Sequence, residues 1–333
     1  DRAHPPVVVH SWVCHRLVFV HRTAHATLLS TLAAKNVAIA TSSTTRQPEQ
    51  AARTTNVEGP LMTDRPAPDG LDTTIASAAR VYDYLLGGTD NFPIDREVAE
   101  ASGVAIGGIG RARAAVRSNR VFLAAAVRYV VEAGVRQFLD IGSGLPNQAN
   151  VHEVAQRAAP DSRIVYVDND PIVLAHAHTL LDSTPEGTTA YINGDLHDPK
   201  NVLLRAEATL DLSEPVAVML VSMLHFFHDT EDPYGLVAQL MNAASPGSYL
   251  VISHLTADFE PEKMRAVAES PGDKAEYEFI LRSHDEVGRF FQGLELVGPG
   301  LASMDQWLPP GTPSGLHRWA RTFYGAVGRK PPS

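Results

Sequence analysis

The sequence contains a single cysteine, Cys14, among its 333 residues. One thiol cannot form an internal disulfide, and it cannot supply the several thiolates of a cysteine-rich zinc site. The composition therefore excludes the disulfide-framed class of small secreted domains, and we expect the protein to be cytoplasmic.

Basic side chains are also in deficit. The chain has 28 lysines and arginines against 38 acidic residues, which gives a formal net charge of −10. A domain that binds nucleic acid in bulk needs an excess of positive charge to attract the phosphate backbone. We therefore expect no nucleic-acid partner.

Long uninterrupted apolar runs are missing as well. The most apolar segments, residues 7–20 and 24–40, are broken by polar or charged residues such as His15, Arg16 and Lys35. A membrane-spanning helix needs about 18 or more consecutive apolar residues, so we expect no membrane partner. Hydrophobic residues nevertheless make up 44% of the chain. That proportion is enough for a substantial core and favours a soluble globular enzyme of undetermined oligomeric state.

The first 61 residues differ from the rest of the chain. They hold the cysteine and five of the fourteen histidines, and they lead into a polar stretch at residues 41–48. We expect a poorly structured extension, either upstream sequence translated in error before a native start at Met62 or a tail with no catalytic part. We predict an N-terminal helical lid or cap at residues 62–136 and the catalytic core at residues 137–330.

Strands and helices alternate from residue 137 onward. Short β-branched runs occur at residues 137–141, 163–167, 189–192, 216–221 and 249–253, and helical stretches occur at 150–158, 171–181, 201–208 and 233–243. This alternation is typical of an α/β fold, in which a parallel sheet is covered by helices on both faces. Residues 294–297 and 321–327 then predict two closing strands.

The regions on either side of this alternation are predicted to be mainly helical. Before it, we predict helices at residues 77–86, 93–102 and 114–133, with a mobile glycine-rich loop at 103–110. After the fifth strand, we predict a helical insert at residues 261–281. Ser283 and Glu286 have the spacing of a capping box, which predicts a helix running to Phe291.

The strongest local signal is the segment FLDIGSG at residues 138–144. Asp140 ends a hydrophobic strand, and Gly142, Ser143 and Gly144 form a turn at which glycine lets the backbone approach a ligand closely. A purely structural strand-to-helix turn has the same pattern, so this alternative stays open. The nicotinamide fingerprint needs a third glycine three residues after Gly144, and Asn147 stands in the segment instead.

Two later strand ends carry further acids. Asp168 follows the next predicted strand, where a carboxylate can accept both hydroxyls of a ribose. The alternative is a cap for the helix that starts near Pro171, a role for which Asp170 is better placed. Gly194, Asp195 and Leu196 follow the third strand, and there Asp195 can accept a hydrogen bond from an adenine amino group while Leu196 covers the ring. A simple Asn-Gly turn is the alternative for this segment.

The loop after the fourth strand contains His225 and His228. Ligands gather at the carboxyl ends of the strands in such a sheet, so this loop faces the reacting centre. The two histidines are our candidates for a catalytic base, and the alternatives are half of a metal site or ordinary packing. No third ligand follows from the spacing, and we expect no metal.

With these residues in hand, the chain resembles the Rossmann-like methyltransferases that depend on S-adenosylmethionine (SAM). It resembles more closely an S-adenosyl methyltransferase family without an assigned substrate. The closer match lies in residues 79–92 (ARVYDYLLGGTDNF), 117–120, 138–146, 150–156, 166–171 and 246–250. The resemblance implies a seven-stranded sheet with an antiparallel last strand, methyl-transfer activity and SAM as cofactor.

We therefore predict a SAM-dependent methyltransferase with a small-molecule acceptor. The predicted cofactor residues are Asp140, Gly142, Ser143, Gly144, Asp168, Asn169, Gly194, Asp195 and Leu196. The predicted lid and substrate residues are Tyr82, Tyr84, Asp90, Asn91 and Phe92, which combine aromatic walls with hydrogen-bond acceptors around a glycine pair. One alternative for this segment is an apolar helical face that ends at Gly87. Alternatives for the whole protein are a SAM-binding sensor without turnover and a nicotinamide-dependent oxidoreductase.

Overall fold

The computed structural model describes residues 71–146, 149–180 and 183–332. The predicted poorly structured extension at residues 1–61, whether mistranslated upstream sequence or a tail with no catalytic part, lies outside the described residues. Within the described ranges, no helix combines the length and the apolar character needed to cross a membrane.

The described residues form helices and strands in the predicted alternation. In chain order these are α1 (Ala78–Leu86), α2 (Pro93–Ile106), α3 (Ile109–Glu132), β1 (Gln137–Ile141), α4 (Val151–Ala158), β2 (Arg163–Asp168), α5 (Pro171–Leu180), β3 (Thr188–Asn193), α6 (Pro199–Ala206), β4 (Ala217–Val221), α7 (Pro233–Ala243), β5 (Tyr249–Leu255), α8 (Pro261–Glu269), α9 (His284–Arg289), β6 (Glu295–Leu296), β7 (Ala302–Ser303), α10 (Ser314–Trp319) and β8 (Phe323–Arg329).

One sheet organises these elements, with strand order β3-β2-β1-β4-β5-β8-β6. The first five strands of this order are parallel, and β8 runs antiparallel to β5, which confirms the predicted fold class. The strand count differs from the predicted seven because β7 also pairs with β8, off the main path. β7 has only two residues, so no alternation of side chains could reveal it in the sequence.

The sheet separates two hydrophobic clusters. Phe138 and Ile164 belong to the cluster on one face, and their neighbours Leu139 and Val165 belong to the cluster on the other. This division follows from the alternation of side chains along each strand. Because β1 to β4 are parallel and in register, their carboxyl ends meet along one edge of the sheet.

The prediction of a glycine-rich loop at residues 103–110 is wrong. α2 continues to Ile106, and the chain turns at Gly107 and Gly108, whose φ angles are 97° and 131°, before α3 begins. Gly103 lies inside α2, at a point where the start of α3 approaches so closely that a side chain would not fit. A Cβ at Gly103 would be 2.9 Å from Cα of Ile109.

The predicted helical insert at residues 261–281 is only partly helical. α8 ends at Glu269, Pro271 and a short turn at Gly272–Lys274 follow, and residues 275–281 form no helix. The isolated bridge between Ala76 and Ala275 holds the start of this segment in an extended conformation. Ser283 caps α9 as predicted, since it exchanges hydrogen bonds with Glu286, although α9 ends at Arg289 and not at Phe291.

Candidate active site

A cavity of about 1120 Å³ lies at the carboxyl ends of the parallel strands. Its lining draws on these strand ends, on α1 and α3, and on residues 275–279. The nine residues predicted to bind the cofactor all line it: Asp140, Gly142, Ser143, Gly144, Asp168, Asn169, Gly194, Asp195 and Leu196. The parallel register of β1, β2 and β3 is what places the three sequence segments together.

The turn after β1 requires its two glycines. Gly142 and Gly144 have φ angles of +75° and +63°, a region that other residues rarely adopt. A Cβ at Gly142 would lie 2.6 Å from the sulfur of Met223, whereas a Cβ at Gly144 would meet no atom within 4 Å. Gly142 therefore lets Met223 pack closely against the turn, and the space beside Gly144 is open.

Asp168 at the end of β2 holds this turn in place. Its Oδ2 accepts a hydrogen bond of 2.7 Å from the Gly144 amide, and its Oδ1 accepts one of 3.0 Å from the Asp170 amide. Burial raises the pKa of the Asp168 carboxyl. Since a carboxylate has about four acceptor sites, further hydrogen bonds can still be accepted. The cap of α5 is Asp170, whose Oδ1 accepts from the Ile172 amide at 2.9 Å.

Asp140 is the second buried carboxyl at this edge. Burial raises its pKa to about 7, against the opposing effect of the Arg120 guanidinium, and the nearby Asp168 raises it further. Arg120 also lines the cavity, and its Nη2 donates a hydrogen bond of 2.8 Å to the Ala149 carbonyl. Arg120 lies in residues 117–120, which match the family, but the sequence alone predicts no role for it.

The third strand end forms a hydrogen-bonded group. Asn169 Nδ2 donates to Asp195 Oδ2 at 3.1 Å, and His197 lies between Asp195 Oδ1 (2.7 Å) and Glu231 Oε1 (2.9 Å). Partial burial lowers the pKa of His197, but its hydrogen bonds with Glu231 and Asp195 outweigh this effect and raise it overall. His197 and Glu231 were not predicted from the sequence. They are 34 residues apart, and no motif links them.

The two candidate histidines have different surroundings. His225 is 2% exposed, and its ring contacts Phe226, Phe279 and His254, with centroid distances of 4.5, 5.7 and 5.6 Å. Burial lowers the pKa of His225 well below its ordinary value, and His254 and Arg282 lower it further. His225 is therefore a neutral imidazole at physiological pH.

His228 is 48% exposed, and its Nε2 lies 3.3 Å from Oε2 of Glu278. Both His225 and His228 line the cavity, but only His225 is enclosed by other rings. Among the described residues, no group of three histidine, cysteine or acidic side chains is arranged to hold a metal ion.

Arg282 holds the loop that contains these histidines. It is 2% exposed, and its guanidinium donates hydrogen bonds to the carbonyls of Leu224 (2.9 Å) and Phe227 (2.8 Å) and to Nε2 of His254 (2.9 Å). Burial lowers the pKa of His254 to about 3, so this ring accepts the hydrogen bond as a neutral imidazole. Arg282 thereby joins the loop after β4 to the end of β5, and no sequence signal pointed to it.

Part of the cavity wall is aromatic. Phe226, Tyr277 and Phe279 contact one another with centroid distances of 5.2 to 5.6 Å, and each ring stays partly exposed. The hydroxyl oxygen of Tyr277 is buried and has no hydrogen-bond partner among the described residues. Most of this wall comes from residues 275–279, for which the sequence predicted only helix.

The structure divides the predicted lid residues. Tyr82 lines the cavity, and its hydroxyl donates to the Val116 carbonyl at 3.2 Å and accepts from Asn119 Nδ2 at 2.9 Å. The other four residues lie outside the lining: Tyr84, Asp90, Asn91 and Phe92.

Asp83 accounts for this placement. Its Oδ2 accepts hydrogen bonds of 2.9 Å from the Asp90 amide and from Asn91 Nδ2, which hold residues 90 and 91 against α1. In α1, Leu85 is buried, Tyr82 and Leu86 are partly buried against the core, and Gly87 ends the helix with a φ of 91°. The same helix also buries Arg80 and Asp83, so the alternative of an apolar helical face stays open. Whether the segment opens and closes stays a prediction.

Comparison with known proteins assigns the chain to a family. Residues 64–331 match a family model described as S-adenosyl methyltransferase. A solved structure of a DUF574 family protein from Streptomyces avermitilis is 43% identical, covers 78% of this chain and 99% of its own, and has a TM-score of 0.74. A solved structure from Thermobifida fusca, described as a methyltransferase, is 37% identical with coverages of 79% and 98% and a TM-score of 0.71. No curated protein matches the chain. The protein therefore belongs to this S-adenosyl methyltransferase family and is a methyltransferase that uses SAM as its cofactor.

Proposed function

We propose that the enzyme methylates a small molecule that is enclosed together with SAM in the cavity of about 1120 Å³. The size of the cavity carries this proposal. Pockets for a single small ligand span about 300–1,000 Å³, so this one has room for a cofactor and an acceptor. Its lining also combines two kinds of chemistry, with carboxylates at the strand ends and a cluster of partly exposed aromatic rings.

The strand ends fit a cationic nucleoside cofactor. Open space above Gly144 leaves room for a ligand, and the buried Oγ of Ser143 lacks a hydrogen-bond partner among the described residues. In this assignment Asp168 accepts hydrogen bonds from the ribose hydroxyls, and Asp195 accepts one from the adenine amino group. Leu196, which is buried and lines the cavity, covers the adenine ring.

The methionyl end of the cofactor is assigned to Asp140 and Arg120. The Asp140 carboxylate attracts the ammonium group, and the Arg120 guanidinium attracts the carboxylate, since both side chains line the cavity. This pair would distinguish an amino-acid-bearing nucleoside from adenosine itself.

Methyl transfer then depends mainly on positioning. SAM supplies a methyl group that is already activated on a sulfonium, so a base is needed only when the acceptor is a poorly ionised hydroxyl or a protonated amine. His225 is the side chain we assign to this proton, because it is neutral, lines the cavity and contacts the rings of Phe226 and Phe279. His228, which is half exposed and paired with Glu278, would contribute less.

A labelling experiment tests the function. The protein is incubated with SAM that carries a deuterated methyl group and with a metabolite extract of Streptomyces avermitilis, the source of the 43% identical relative. We expect one small molecule to acquire the labelled methyl group. Label only on nucleic acid or protein contradicts the proposal, and tight SAM binding without any labelled product favours the sensor.

We also propose that the enzyme works in the cytoplasm without a nucleic-acid partner. The single cysteine and the net charge of −10 support this assignment. Fractionation of cells that express a tagged protein tests the location, and recovery of the tag outside the cytoplasmic fraction contradicts it.

A further inference from the structure

Two buried polar atoms on the aromatic side of the cavity have no hydrogen-bond partner among the described residues. They are Nδ1 of His225 and the hydroxyl oxygen of Tyr277, and both residues line the cavity. Buried polar groups are almost always hydrogen-bonded, because leaving one unpaired loses its interaction with water without replacement. A ligand in the cavity is a natural partner for both atoms.

The side chains around these atoms are flat and apolar. Phe226 lies between the two residues, with its ring centroid 4.5 Å from that of His225 and 5.3 Å from that of Tyr277. Phe279 contacts the same residues at 5.7 and 5.2 Å. Partly exposed rings clustered in this way offer a surface that an aromatic ligand can cover by stacking or edge-to-face contact.

The segment that carries Tyr277 is held on both sides. On one side, the Ala76 amide donates to the Lys274 carbonyl at 2.8 Å and the Glu276 amide donates to the Ala76 carbonyl at 3.1 Å. On the other side, the Ile280 amide donates to the His225 carbonyl at 2.8 Å. Tyr277 is therefore preorganised relative to His225 by the backbone itself, which is a requirement for selective binding.

The protonation states of the two groups are complementary. Burial raises the pKa of the Tyr277 hydroxyl, and Asp95 and Glu276 raise it further, so this group keeps its proton and can donate a hydrogen bond. His225 is neutral, because burial and the nearby His254 and Arg282 disfavour the imidazolium. Such a histidine removes a proton efficiently only from an acceptor that gives it up easily.

We propose that the methyl acceptor is a planar aromatic compound with a phenolic hydroxyl, which is mostly un-ionised near neutral pH but more acidic than an alcohol, and a second polar atom, and that His225 and Tyr277 bind these two groups. This inference rests on the proposed function and names its substrate class. The hydroxyl oxygen forms the new bond to the methyl carbon, while the sulfur–carbon bond of SAM breaks and leaves its electron pair on sulfur. The hydroxyl proton passes to Nδ1 of His225 and from there to solvent. Tyr277 donates its hydrogen bond to the second polar atom and is a specificity-determining residue.

Binding of simple phenols to the protein saturated with S-adenosylhomocysteine gives the first test. The probes are catechol, naphthol and umbelliferone, and herniarin, the methyl ether of umbelliferone, is the control without a hydroxyl proton. We expect at least one phenol to show saturable binding. If umbelliferone binds, herniarin should bind at least fivefold more weakly. Tyr277→Phe should bind the phenol at least fivefold more weakly than the unmodified protein. Tyr129→Phe, a change on the partly exposed outer side of α3, is the matched control and should bind like the unmodified protein. Absence of binding by all three phenols overturns the inference.

The labelled metabolite from the extract gives the second test. For Tyr277→Phe we expect its KM to rise at least fivefold while the affinity for S-adenosylhomocysteine stays unchanged. An unchanged KM, or a labelled product without an aromatic ring, overturns the inference and leaves the proposed function standing. No transfer to any small molecule overturns the proposed function itself, and the inference with it.

Discussion

The amide of Gly144 donates a hydrogen bond of 2.7 Å to Oδ2 of Asp168, so the acid at the end of β2 holds the glycine turn at the end of β1. This contact gives Asp168 two tasks in the proposed site. It fixes the shape of the turn along which the cofactor lies, and its remaining acceptor capacity is available to the ribose hydroxyls. Loss of the carboxylate removes both contributions.

We therefore expect Asp168→Ala to weaken SAM binding by about 2–4 kcal/mol, since charge-assisted hydrogen bonds to the ribose are lost. Calorimetric titration measures the change. Asp161→Ala is the matched control, because Asp161 is exposed and pairs only loosely with Arg136 at 3.4 Å. Equal SAM affinity in a folded Asp168→Ala protein would remove Asp168 from the cofactor site.

Asp140 predicts a dependence of SAM binding on pH. Its carboxyl has a pKa of about 7 in the folded protein, so the carboxylate that attracts the SAM ammonium forms as the pH rises through neutrality. We expect binding to be several-fold tighter at about pH 7.5 than at about pH 6, where most of the carboxyl groups are protonated. Asp140→Asn should bind weakly and with little change over this range. A pH profile of Asp140→Asn that matches the original protein contradicts the assignment.

The same raised pKa predicts that the stability of the SAM-free protein falls as the pH rises, whereas SAM binding becomes tighter. The folded chain holds this proton more tightly than the unfolded chain, in which the pKa is about 4. The group therefore favours folding at low pH, and its contribution is lost as the pH rises from about 4 toward 7. Without SAM, Asp140→Asn should raise the melting temperature at about pH 8 more than at about pH 5.

His225→Asn should lower kcat by about 10²–10⁴-fold with the labelled metabolite, the range typical of a lost general base. SAM affinity should stay close to that of the unmodified enzyme. His228→Asn should have a smaller effect, because that side chain is half exposed, and His317→Asn, outside the cavity lining, is the control. If His225→Asn retains full kcat while His228→Asn loses it, the two assignments must be exchanged.

Arg282→Lys should lower the free energy of unfolding by about 1–3 kcal/mol, because an ammonium group cannot reach all the acceptors that the planar guanidinium bridges. These include the carbonyls of Leu224 and Phe227. Denaturant unfolding measures the loss, with Arg318→Lys on the exposed side of α10 as control. A midpoint equal to that of the control would show that the loop after β4 does not depend on Arg282.

A chain that begins at Met62 should fold and bind SAM like the full chain. The family match starts at residue 64, and the preceding residues lack the pattern of a hydrophobic core. Thermal melts and calorimetry of the two proteins make the comparison. A melting temperature lowered by several degrees in the shorter protein would show that the extension contributes to the fold.

The local sequence determined the helices and strands of this protein and placed glycines and acidic residues at the strand ends. Short continuous β-branched runs and the helical stretches between them predicted the parallel sheet, because strands that alternate with helices in this way are typical of a sheet covered on both faces. Gly142, Gly144 and Asp168 could be identified because a tight turn and a strand end impose strict demands on residue type. The parallel register then brings these segments to one cavity.

Contacts between distant segments were decided only by the tertiary structure. Arg282 donates a hydrogen bond to the carbonyl of Leu224, 58 residues away, and His197 is hydrogen-bonded to Glu231, 34 residues away. Tyr277 reaches the cavity because Pro271 and Gly272 follow α8 and the Ala76 bridge holds the extended chain that follows. Such loops have no periodicity, since their conformation depends on hydrogen bonds to whichever element packs beside them. The strand-end residues that line the cavity could therefore be predicted from sequence, whereas the aromatic part of the lining depends on how the chain packs.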